Sequence, residues 1–219
     1  MKLYSGPVSM FGAKAQIALG EKGLDFDLEM VPFALWGAKR YDPVHPEVAR
    51  VNPKEQVPVL VDGETELFDS TQIFEYIEDL HPTPPLWPAS IRDRATARML
   101  ELKSDEVFFP HFPRSLALLR QADEAEAAEV RAGIHAYYEA MEKQLAGREY
   151  LAGRYSYADI AFFMAQFFMA FIGQPMGAHL TQLNAWRLRV GERPAVKAVA
   201  GAVESYLQEN GAPAPAYAA

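Results

Sequence analysis

The chain of 219 residues contains no cysteine. That absence excludes a disulfide framework, a thiolate-ligated zinc site and any nucleophilic mechanism that uses a thiol of the protein itself. Sulfur chemistry, if it occurs, must be brought by a ligand. An excess of positive charge is also missing: the formal net charge is -8, the pI is near 5.2, and no Lys/Arg-rich run provides a local exception. Nucleic acid is therefore not an expected partner. Behind the N-terminal "MKLYSG" there is no apolar signal core, and no apolar run is long enough to span a bilayer, so the expectation is a cytoplasmic protein with no membrane partner. What the chain does have is hydrophobic residues, 50% of the total. They suffice for a sizeable core in one large or two small domains and exclude disorder.

Up to Leu80 the sequence alternates short strands and helices. Lys2 to Ser5 and Phe26 to Val31 are β-prone runs on either side of "MFGAKAQIALGEKG", where Phe11, Ala15, Ala18 and Leu19 repeat at helical spacing and Gly23 supplies a stop. This is a βαβ unit. After an irregular stretch and "NPKEQ", the segment "VPVLVDGETELF" offers two apolar runs joined at Asp62-Gly63, the dipeptide of a tight antiparallel hairpin. "DSTQIFEYIEDL" then begins with a capping residue and repeats Ile73, Phe74, Ile77 and Leu80 along one helix face.

"HPTPPLWPAS" carries Pro82, Pro84, Pro85 and Pro88, a composition that suits neither helix nor central strand and reads as a semi-rigid linker at a domain boundary. The expected division is a first domain over residues 1–80, a linker over 81–90 and an all-α domain over 91–219. Helical periodicity runs through Ile91 to Arg120, Ala122 to Leu145, Ser156 to Ile172, His179 to Gly191 and Pro194 to Gln208. In the first of these, Pro110 and Pro113 of "FFPHFPRS" remove ladder donors and must bend or break the helix beside Phe108, Phe109, His111 and Phe112. In "YSYADIAF", Ser156 followed by Asp159 forms a helix-start box that Tyr155 and Ile160 can staple, a stability element. "APAPAYAA" ends the chain as an extended tail.

Read in order, "SMFGAKAQIALGEKG", "NPKEQVPVLVDG", "LFDSTQIFEYIEDLHP" and "YLAGRYSYADIAF" resemble the glutathione S-transferase family over nearly the whole chain. The resemblance implies an α/β domain of the thioredoxin-like order β-α-β-α-β-β-α followed by an all-helical domain. It also implies glutathione as co-substrate, no metal, a homodimer, and a detoxifying conjugation of the glutathione thiolate to a small apolar electrophile. Function belongs to the site and not to the fold, so two other classes stay open. One is a peroxidase, dehalogenase or ether-cleaving enzyme on the same thiolate; the other is a non-enzymatic binding domain.

In plant tau-class and many bacterial relatives the catalytic serine lies in an "S-x-F" just before the first helix, and Ser9-Met10-Phe11 reproduces it. Ser9 would cap the helix while its own proton stays free to donate to sulfur. Ser5 is the second candidate and Tyr4 the third, Tyr4 facing the other side of its strand. By the same resemblance Val57-Pro58 is a cis pair whose Val57 backbone meets the cysteinyl backbone of glutathione, the alternative being a trans proline at an edge-strand start. Asp69 and Ser70 take the γ-glutamyl end, Ser70 and the first-turn N–H groups its carboxylate and Asp69 its ammonium. Gln56 is the best match for the glycyl carboxylate, with Lys39, Arg40, His45 and Lys54 as further candidates. Phe108, His111 and Phe112 are expected to wall the electrophile pocket, the plainer reading being that such a stripe is core.

Overall fold

In the computed structural model, which describes residues 1–34, 41, 43–118 and 123–212, strand β1 (Lys2–Ser5) occupies an inner position of a sheet ordered β2-β1-β3-β4. It pairs parallel with β2 (Asp27–Met30) and antiparallel with β3 (Val59–Asp62), which pairs antiparallel with β4 (Thr65–Phe68). Helix α1 (Met10–Glu21) joins the parallel pair, and α3 (Ser70–Leu80) follows β4. Within the stretch whose periodicity was too irregular to assign lies a short helix α2 (Pro46–Val51), so the order is the implied β-α-β-α-β-β-α. The hairpin turn sits one residue later than Asp62-Gly63. Asp62 still pairs with Thr65, leaving Gly63 and Glu64 as the two turn residues, and the positive φ of 61° at Gly63 is the conformation glycine tolerates best.

The alternation of β1 decides what each face of the sheet covers. Leu3 packs with Ala15, Leu19, Leu60, Ile73 and Ile77 beneath α1 and α3. Tyr4 points the opposite way, into Val31, Val48, Val57 and Val59 on the α2 side. A ninth helix, α9 (Pro194–Glu209), belongs to this unit: it packs on α1, with Ala195 against Gly20. The compact units are therefore residues 1–85 with 194–212, and residues 86–193. Helical periodicity marks α9 as a helix but carries no mark of its partner, so sequence groups it with the other helices.

The proline-rich segment is not a free spacer. Lys22, at the end of α1, donates to the carbonyls of His81 and Pro84, 2.7 Å each, and pairs with Glu78 of α3, its side chain wholly buried. Leu86 and Trp87 are buried in the second unit, where the Tyr157 N–H donates to the Leu86 carbonyl at 3.0 Å. The Val57–Pro58 and Thr83–Pro84 bonds are both cis.

The second unit contains α4 (Ile91–Lys103), a π-helical turn at Ser104–Phe108, α5 (His111–Leu118), α6 (Glu124–Gln144), α7 (Tyr157–Phe171) and α8 (Thr181–Gly191). The helix expected from Ile91 onward is thus interrupted where Pro110 removes a donor, while Pro113 is accommodated in the first turn of α5. Helix α7 is buried from Tyr157 to Ala170 and is apolar almost all round, as a central helix must be. Among the described residues no helix is long and apolar enough to cross a membrane.

At the start of α7 the Asp159 carboxylate is fully buried and accepts four hydrogen bonds. Leu151 N and Trp186 Nε1 donate to Oδ1, at 3.0 and 2.8 Å; Ser156 N and Ser156 Oγ donate to Oδ2, at 2.9 and 3.1 Å. The sequence shows the serine and the acid; the loop amide and the indole come from folding. Burial pushes the Asp159 pKa up to about 6 against these donors. Asp159→Ala leaves four donors without an acceptor and should destabilise the protein by about 3 kcal/mol or more in urea melts. Because the folded-state pKa lies above the unfolded one, the stability contributed by this titration grows as pH falls from 7 through 6 toward 4, and the variant should lose that slope.

Candidate functional site

Three chain segments of the sheet domain present uncommitted polar groups. The first is the start of α1. After β1 the chain turns at Gly6-Pro7, and the Ser9 N–H donates to the Gly6 carbonyl at 3.2 Å. Ser9 is the extended N-cap, its Oγ accepting from the Gly12 N–H at 3.0 Å. Among the described residues it makes no other side-chain hydrogen bond, which leaves the O–H proton available at the positive end of the helix.

The two alternative hydroxyls are placed differently. Ser5 is wholly buried, with its Oγ accepting from Gln16 Nε2 at 2.8 Å. Tyr4 lies on the far face, its ring 5.0 Å from that of His45. Strand alternation thus separates Tyr4 from α1 and keeps both serines on the α1 side.

The second segment approaches β3. Asn52 is buried and organises it, Oδ1 accepting from Lys54 N at 2.9 Å and Nδ2 donating to the Gln56 carbonyl at 2.6 Å. Glu55 takes a positive φ of 54° in this tight path. Gln56 and Lys54 are exposed. Val57 is buried as a side chain, yet its N–H and C=O make no hydrogen bond with the described residues. Such a backbone pair beside a strand can receive an extended peptide.

The third segment is the start of α3. Asp69 is the N-cap, at the strained φ of 75°, and its Oδ1 accepts from Thr71 N at 3.0 Å and Gln72 N at 3.2 Å. Its Oδ2 makes no bond with the described residues, which leaves it for a cation. Ser70, the first helical residue, is buried in the first turn.

The remaining candidates divide. His45 is occupied: Nδ1 accepts from Glu47 N at 3.2 Å as the cap of α2, and Nε2 reaches Glu29 at 2.7 Å, which makes Nε2 the protonated nitrogen. It is a structural cap. Lys39 and Arg40 lie outside the described residues. Phe108 is completely buried among Tyr137, Tyr138 and Phe162, so it belongs to the core of the helical unit and not to an open wall. Phe112 is 7% exposed, stacked on Phe109 and edge-on to Phe168. His111 is half-buried and rests on Gly133 of α6, and burial and the nearby Arg114 lower its pKa. The rings of Phe108 and Phe112 thus pack within the helical unit, while His111 stays partly exposed.

Two residues with defined contacts at the site have no motif. Asn52 carried a local signal, the Asn-Pro dipeptide, which favours an Asx turn. Gln16 carried only its position, on one line of α1 with Ser9 and Gly12.

The family described as "Glutathione S-transferase, N-terminal domain" matches residues 3–85, and "Glutathione S-transferase, C-terminal domain" matches residues 100–194. Glutathione S-transferase Z1 of Arabidopsis thaliana is 32% identical over 178 residues, 78% of this chain and 74% of that protein. A stringent starvation protein A homolog of Coxiella burnetii is 33% identical over 111 residues, and the match spans 48% of its length. Among solved structures, a sphingomonad glutathione S-transferase complexed with glutathione is 28% identical, covers 93% of this chain and 98% of its own, and superposes with a TM-score of 0.77.

Asn52 gives the β3 approach its shape, so Asn52→Ala should free the Gln56 carbonyl and the Lys54 amide together. Amide hydrogen exchange of Lys54 and Glu55 should rise at least tenfold, with a global loss of stability of about 1–2 kcal/mol.

Proposed function

Since this chain belongs to the glutathione S-transferase family, we propose that it binds glutathione along the three open segments of its sheet domain and delivers the thiolate to a small apolar electrophile. The observation that carries this reading is the Ser9 hydroxyl, fixed by the Gly12 N–H at the N-terminus of α1 with a proton left to donate. A thiol of the cysteine type has a pKa of about 8.5, and the thiolate is the nucleophile. Lowering that value by about two units requires about 2.7 kcal/mol of preferential stabilisation of the anion. A donated hydrogen bond and the positive helix end together supply energy of that size.

The other two segments hold the tripeptide. The open N–H and C=O of Val57 suit sheet-like pairing with the cysteinyl residue. At α3 the positive helix end and Ser70 suit the γ-glutamyl carboxylate, and the spare Oδ2 of Asp69 suits its ammonium. Gln56 remains the choice for the glycyl carboxylate. Glutathione held in this way has its sulfur presented to Ser9, and the conjugation follows from thiol ionisation and proximity.

The test is a titration of thiolate absorbance with glutathione bound. Ser9→Ala should raise the thiol pKa by about one to two units and lower kcat at neutral pH by about tenfold to a hundredfold, with glutathione affinity retained. An unmoved pKa would remove Ser9 from the chemistry. Ser70→Ala should do the reverse, raising the KM for glutathione with little change in the thiol pKa. Peroxide reduction, dehalogenation and ether cleavage use the same thiolate, and a panel of electrophiles and peroxides distinguishes them. Retention on immobilised glutathione without turnover of any of them would favour a binding domain.

The reading extends to a cytoplasmic homodimer. Ile91, Met99 and Leu102 of α4 recur at helical spacing and are 87%, 50% and 48% exposed, an apolar stripe that a second copy would cover. Light scattering should give twice 24.4 kDa, and Met99→Lys with Leu102→Glu should return the monomer mass.

A further inference from the structure

We propose that Gln16 and Ser5 are positioning residues that fix the Ser9 hydroxyl, and that glycine at position 12 is what allows them to do so. Ser9, Gly12 and Gln16 are spaced three and four apart, so they share one line along α1. That line faces the end of β1. A Cβ at position 12 would stand 2.1 Å from Ser5 Oγ and 3.2 Å from Ser9 Oγ. The Ser5 hydroxyl thus fills the place that any side chain at 12 would need, a few ångströms from the Ser9 oxygen. A glycine inside a helix is less favourable than alanine, and this close approach of strand to helix is the reason for it here.

Gln16 holds the arrangement. Its Nε2 donates to Ser5 Oγ at 2.8 Å, and both side chains are buried, Ser5 completely and Gln16 to 7% exposure. A helix resting on a strand by apolar contacts alone can slide or roll by fractions of an ångström with little change in energy. A buried hydrogen bond between side chains of α1 and β1 opposes both movements, because breaking it leaves a carboxamide without water. Gln16 lies two turns along α1 from Ser9, and the Gly12 N–H links the same line to Ser9 Oγ. The chain of contacts Gln16, Ser5, Gly12, Ser9 therefore carries the position of β1 to the oxygen that would meet the sulfur. Displacements of about an ångström at such a group can reduce rates by about a hundredfold.

The inference rests on the role of Ser9 proposed above, and the test separates the two. Gln16→Leu keeps a side chain of similar bulk and removes the donor. It should raise the pKa of bound glutathione by about half a unit or more and lower kcat about threefold to tenfold at neutral pH, with glutathione affinity within twofold of wild type. Ser5→Ala combined with Gln16→Leu should be no worse than Gln16→Leu alone, since both remove one bond. Gly12→Ala should give the largest loss, and if it does not fold, the Gln16 variants still decide. If Ser9→Ala moves the thiol pKa and Gln16→Leu does not, the positioning role is wrong and the Ser9 assignment stands. If Ser9→Ala leaves the pKa unmoved, both fall. Loss of thermal stability in Gln16→Leu with an unchanged titration curve would make the bond structural only.

Discussion

A helix begins with N–H groups that its own turns cannot satisfy, and in this protein two such beginnings, those of α1 and α3, lie at the candidate site. Helix α2 is capped by His45 and α6 by Asp123, while the Asp159 carboxylate accepts from the chain before α7, each acceptor supplied by the chain. The starts of α1 and α3 are capped by the same means. Ser9 satisfies one N–H and keeps its proton; Asp69 satisfies two with a single oxygen and keeps the other. What remains at those two ends is polarity of opposite kinds, a hydroxyl donor at one and a carboxylate oxygen at the other. Val57 adds an unpaired strand segment between them in sequence. In the proposed reading, stabilisation of a thiolate and recognition of a carboxylate and a peptide backbone would rest on these two helix ends and the strand approach between them.

The first strand, its helix, the hairpin and α3 were legible because each rests on a local rule: alternation, helical spacing, a turn dipeptide, a cap. Strand β1 falls at Lys2–Ser5 as expected, and the box at Ser156 and Asp159 is where its spacing put it. What the sequence left open depends on partners that spacing cannot name. Periodicity identifies α9 as a helix, yet its contact with Gly20 of α1 is a tertiary fact. Proline at 110 announces a break but not which way the rings on either side turn, and they turn inward. His45 and Ser5 show the same limit in the site: an imidazole and a hydroxyl read as available until the structure supplies Glu29 and Gln16. Gln16 itself has no motif, because a single buried hydrogen bond between a strand and a helix leaves no pattern in one sequence.

Lys22 illustrates how one side chain can replace a larger interface. Its ammonium is removed from water and meets Glu78 and two carbonyls, so three groups share the cost of burying one cation. The result ties the end of α1 to the end of α3 and to the chain leaving the sheet. Trp87 and Leu86 perform the corresponding task beyond that point by apolar burial. The proline-rich passage is thus held on both sides by different chemistry.

The first unit is assembled from residues 1–85 and 194–212, so the chain leaves it and returns after the whole second unit has been made. On the ribosome, at about 5–20 residues per second, the segment between them takes on the order of ten seconds to synthesise. During that interval the sheet and α1 exist without α9, and the surface of α1 around Gly20 stays open to solvent or to a chaperone. The unit that carries Ser9 is begun before the second unit and completed after it.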